Sequence, residues 1–102
     1  MSRSRSHDRL VFSPARFQAL LDVHRGKVRF DNGLLGGPAG YRWDAEGGTC
    51  PDERTLSELW RADLIDVGTT ALFAFAGHEV VLTRAGREVL YEWGATRARH
   101  VA

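Results

Sequence analysis

Between residues 55 and 94 the apolar pattern changes period twice, from helical spacing to alternation and back. Leu56, Leu59 and Trp60, extended by Leu64 and Ile65, recur at helical spacing, and Gly68 marks the exit. Phe73 and Phe75, then Val80 and Leu82, alternate instead around a Gly77-His78 turn, which predicts a β-hairpin. Helical spacing resumes with Val89, Leu90 and Trp93, and Gly94 is the expected end. Thr83 stands at the N-cap of that last helix, where its hydroxyl can accept the amide hydrogen of Gly86. Helix, hairpin and helix must share one core, because none of them buries its apolar face alone.

The preceding half repeats the alternation. Ser13-Pro14 provides an N-cap and a proline at the first helical position, followed by a stripe of Phe17, Leu20, Leu21 and His24 and a stop at Gly26. Val28 and Phe30 then point one way while Lys27, Arg29 and Asp31 point the other, and Tyr41 and Trp43 mirror them with Arg42 and Asp44 opposite. Two half-buried strands joined as a hairpin follow from that pattern. Between them, residues 32–40 form a glycine-rich loop carrying Leu34-Leu35, which either tucks onto the core or meets a partner. Residues 49–52 are placed to cap a second helix, running from about Asp52 to Ala62, with Asp52 and Glu53 favourable to its dipole.

A chain of 102 residues with 43% hydrophobic and 26% charged residues holds one modest core. No apolar run is long enough to span a bilayer, and no hydrophobic signal core follows the arginines at the start, so a cytoplasmic location is expected. The single cysteine, Cys50, forms no intramolecular disulfide and fits a reducing compartment. Net charge is +1, but residues 10–94 hold nine basic and twelve acidic side chains, so the basic excess sits in the tails. Residues 1–9 read as a disordered basic tail and 95–102 as a short basic one.

On the "Leu-x-x-Leu-Trp-x-x-x-Leu-Ile" stretch of residues 56–65, the hairpin after it and the "Leu-Thr-x-x-Gly" of residues 82–86, the chain resembles winged helix-turn-helix domains. More narrowly it resembles small uncharacterised winged-helix proteins of actinobacteria and their phages, over about residues 12–94. The resemblance implies an α+β, winged-helix-like domain over residues 10–94, with three main helices and two β-hairpins around one core. It implies double-stranded DNA as partner, with the Asp52–Ala62 helix in the major groove, the Phe73–Val81 hairpin as wing, and a homodimer as a frequent arrangement. The hairpin Lys27–Asp44 stands where such domains have a short helix.

Arg54, Ser57 and Arg61 share the outward side of the second helix, where arginine can read guanine edges; alternatively the two arginines pair with Glu58. Lys27 and Arg29, with Arg42 opposite, form a basic ribbon suited to a phosphate backbone, or a solvated strand face. Arg84 and Arg87 open the last helix, and Arg3 and Arg5 resemble a minor-groove arm. Trp93 is placed for a dimer contact or for packing within the monomer. Cys50 near a helix start has a thiol that is either activated or idle, and no histidine lies close to it in sequence. The four histidines lack metal-ligand spacing, and no nucleotide-binding or nucleophile motif occurs. The expectation is a non-enzymatic DNA-binding protein, a transcriptional regulator or mobile-element accessory factor, without cofactor or metal. The alternative is a protein-interaction module of the same shape. A third option is mimicry of DNA charge through Asp52, Glu53, Glu58 and Asp63.

Overall fold

Ser13, in extended backbone, opens the first helix by accepting the amide hydrogen of Arg16 at 3.1 Å. The computed structural model describes residues 10–33, 39–68 and 78–101, with the backbone alone from residue 97 on. In chain order its elements are α1 (Pro14–His24), β1 (Val28–Asp31), β2 (Gly40–Trp43), α2 (Glu53–Arg61), β3 (Ile65–Val67), β4 (His78–Leu82) and α3 (Arg84–Val101).

Helix α1 ends in a double hydrogen-bonded closure, Gly26 N–H to Val23 O and Lys27 N–H to Asp22 O, with Gly26 at φ +73. It packs against α2, α3 and β4, so more than one of its sides is covered. Phe17, Ala19, Leu20, Asp22 and Val23 are therefore buried. Leu21 is half-buried, and His24, expected on the apolar stripe, is exposed; Val23 takes its place.

The first hairpin is present as expected, and its register sets Val28 opposite Trp43, Arg29 opposite Arg42 and Phe30 opposite Tyr41. Phe30, Tyr41 and Trp43 lie against the core on one face. Trp43 also donates from its indole nitrogen to Gly47 O at 3.0 Å, which folds the following loop back over the ring. Residues 44–52 contain no helix.

The second hairpin differs from expectation in its first strand. Ile65–Val67 pairs with β4, Ile65 facing Leu82 and Val67 facing Val80, and Gly68 N–H continues the ladder to Glu79 O. Phe73 and Phe75, expected in that strand, lie outside the described residues. His78, expected in the turn, opens β4 and stands opposite Phe30 of β1. This pairing joins both hairpins into one antiparallel sheet of order β2-β1-β4-β3.

Leu64 and Ile65 are buried as their spacing suggested, yet they are not helical. The chain leaves α2 at Ala62, with Asp63 at φ 62. Asp63 N–H then bonds Trp60 O and Leu64 N–H bonds Leu59 O, the same closure that ends α1. Leu64 folds back into the core beside Leu59, while Ile65 begins β3.

That corner receives the start of α3. Thr83 N–H bonds Leu64 O at 3.0 Å and its hydroxyl donates to Asp63 O at 2.6 Å. The same hydroxyl oxygen accepts from Gly86 N–H at 3.0 Å, which is the predicted cap. Gly86 is buried against Leu64, and a Cβ placed on it would overlap the Leu64 carbonyl oxygen and lie 2.9 Å from the carbonyl carbon. Gly94, expected to end α3, lies within it and faces the Phe17 ring. The helix runs on to Val101, so the stretch from residue 95, expected as a tail, continues as helix. The core gathers Leu20, Val23, Val28, Leu56, Leu59, Ile65, Val80 and Leu82 from all layers.

Candidate nucleic-acid interface

Asp52 caps α2, accepting from Thr55 N–H at 2.7 Å. The Thr55 hydroxyl and amide, in that order, hold the Asp52 carboxyl below its ordinary range, with a smaller contribution from the charge of Arg54. Thr55, Leu56 and Leu59 bury one side of the helix, which leaves Arg54 and Arg61 exposed and Ser57 half-exposed between them. At 1.5 Å rise per residue, the two arginines stand roughly 10 Å apart along the axis.

Glu58 is not their partner. Its carboxylate turns to α1 and meets Arg16 Nη2 at 3.1 Å, while Arg16 Nη1 donates to Val11 O at 2.8 Å. The half-buried pair ties the segment before α1 to α2, and it removes Glu58 from the outward face. Neither Arg54 nor Arg61 forms a salt bridge among the described residues. The acidic array suggested for DNA mimicry is broken at the same point.

The basic ribbon on the first hairpin is mixed in charge. Arg29 stands between Arg42 on β2 and Glu79 on β4. Lys27 lies with its ammonium 5.7 Å from the centre of the Trp43 ring, a cation–π arrangement. Arg84 and Arg87 are engaged locally. Arg84 pairs with Glu88 at 3.5 Å on the open surface, and Arg87 donates to Leu82 O at 3.2 Å, bracing the junction of β4 and α3. Arg3, Arg5 and Leu34-Leu35 lie outside the described residues, as do the side chains of Arg97 and Arg99. Trp93 meets Phe12 edge-on at 5.6 Å, a contact within the monomer.

Burial and, second, the charge of Asp22 push the Cys50 thiol up, so it is not activated by the nearby helix start. Among the described residues no three His, Cys, Asp or Glu side chains converge as for a metal ion, and no helix is long and apolar enough to cross a membrane. Sequence reasoning missed Arg16, whose role depends on a residue 42 positions away. No local spacing signals such a pair.

No family model, curated protein or solved structure matches this chain. What it does has to be read from the geometry.

Proposed function

We propose that this chain is a non-enzymatic, double-stranded-DNA-binding protein on a winged-helix-like frame, a transcriptional regulator or mobile-element accessory factor. The observation that carries the reading is the row Arg54, Ser57, Arg61 on α2, its two arginines exposed and cleared of Glu58 by Arg16. Guanidinium groups held on one helix face suit guanine edges in the major groove and the phosphates flanking it. The order of a helix, a hairpin, α2, a hairpin and α3 supports the winged-helix likeness, with α2 as the groove helix. The four-stranded sheet and the helix-free stretch 44–52 are where this frame departs from that likeness. In this reading Lys27 and Arg29 supply secondary phosphate contacts, and a homodimer would double the contact set.

Binding of a mixed duplex measured across a salt series tests the reading. With four phosphate contacts (Arg54, Arg61, Lys27, Arg29) the logarithm of affinity falls with a slope of roughly −3.6 against log salt. Lys27→Glu/Arg29→Glu flattens the slope to roughly −1.8. Absence of binding at low salt contradicts the proposal.

One observation favours a second reading, docking to another protein. Val11 is 75% and Tyr91 81% exposed, and the body of the domain is acidic. A pull-down partner lost on Tyr91→Ala, in a chain without duplex affinity, supports that reading.

A further inference from the structure

A cavity of about 150 Å³ lies between α1 and the start of α2. Ala19, Asp22 and Thr55 are its buried lining and form the floor, while Ala15 and Asp52 stand exposed at the rim. Asp22 is only 3% exposed. Its Oδ1 accepts from Gln18 Nε2 at 3.1 Å, a neutral donor one turn away on the same helix. No basic side chain forms a salt bridge with it among the described residues, and none lines the cavity. A buried carboxylate is ordinarily paired, because desolvating an uncompensated charge is costly.

The cavity is thus negative at the floor and again at the rim, where Asp52 is held ionised by its bonds from Thr55. The negative charge of Asp22 is also felt at Cys50, whose thiol it helps to raise. Ala15, Ala19 and Pro51 supply apolar wall.

We propose that this cavity binds a primary ammonium group on a short alkyl chain, with Asp22 as its counter-ion and the alanines against its methylenes. Three N–H donors match the floor carboxylate, the Thr55 hydroxyl and the rim carboxylate. A metal ion fits less well, since no three candidate ligands converge among the described residues. A free alkylamine and a lysine side chain from a partner protein carry the same group. The site is separate from the arginines of α2, so failure of duplex binding leaves it standing.

The test is thermal unfolding of the full chain in n-butylammonium chloride, against sodium chloride at equal ionic strength, with a doubly blocked lysine (Nα-acetyl, C-terminal amide) as a further arm. The expected result is a saturable rise in Tm, roughly 5–10 °C at ten times Kd. Asp22→Asn abolishes the rise. Ala15→Leu, at an exposed helical position, narrows the mouth and abolishes it without lowering the ligand-free Tm, which keeps the test decisive should Asp22→Asn fail to fold. A larger rise with the blocked lysine than with butylammonium assigns the site to a partner's lysine, and the reverse assigns it to a free amine. Equal Tm in butylammonium and sodium chloride, or an undiminished rise in Ala15→Leu, overturns the proposal.

Discussion

Gly86→Ala is expected to destabilise the protein by about 3 kcal/mol or more and to lower Tm by roughly 12–24 °C. Helix propensity alone gives the opposite sign, since alanine in a helix interior is favoured over glycine by about 1 kcal/mol. The reversal has a geometric origin. The added methyl group falls on the Leu64 carbonyl, and the obstacle is backbone rather than the tip of a flexible side chain. Leu64 cannot give way cheaply: its amide closes α2 on Leu59 O, its carbonyl accepts from Thr83 N–H, and its side chain is in the core. Relief therefore requires α3 to lift at its first turn, which breaks the Thr83 bonds to Asp63 and Leu64 as well. Thermal unfolding followed by circular dichroism checks this. A Tm within about 3 °C of wild type, less than 1 kcal/mol for a domain of this size, contradicts the packing described here.

Arg54→Glu/Arg61→Glu is expected to weaken duplex binding by at least about 30-fold at fixed salt, each arginine contact contributing about 1–3 kcal/mol. Both side chains are exposed and in no salt bridge among the described residues, so the fold should be unaffected and Tm should stay near wild type. The substitution reverses charge at two points of one helix face. Glu58 remains engaged by Arg16, so no new pairing with it compensates. Tyr91→Ala is the matched control, because it truncates an exposed side chain on a different helix. Fluorescence anisotropy with a labelled duplex separates the cases: loss in both variants, or in neither, contradicts a role for α2.

The sequence was informative where local chemistry decides structure. Ser13-Pro14, Thr83 with Gly86, and the alternation of residues 28–31 against 41–43 each specify an element through its own residues, and the structure has all three. It misled where burial and conformation part company. Leu64 and Ile65 keep helical spacing because they face the same core as α2, but the closure at Asp63 has already ended the helix. Gly94 looked like a stop because glycine is common after helices; here it sits opposite Phe17, and the helix continues. The pairing of β1 with β4 and the Arg16–Glu58 link connect distant parts of the chain, and no periodicity encodes them. At the candidate interface, the arginines of α2 were legible from spacing alone. Their freedom from Glu58 was not, since it depends on which side of α2 meets α1.

The most direct measurement for the central claim is a ¹⁵N-resolved NMR titration of the full chain with a mixed duplex at low salt. The account predicts that the largest amide shifts fall on residues 53–62, with smaller ones near Lys27 and Arg29, and that they fade as salt rises. Shifts absent from α2, or concentrated around Val11 and Tyr91, contradict it.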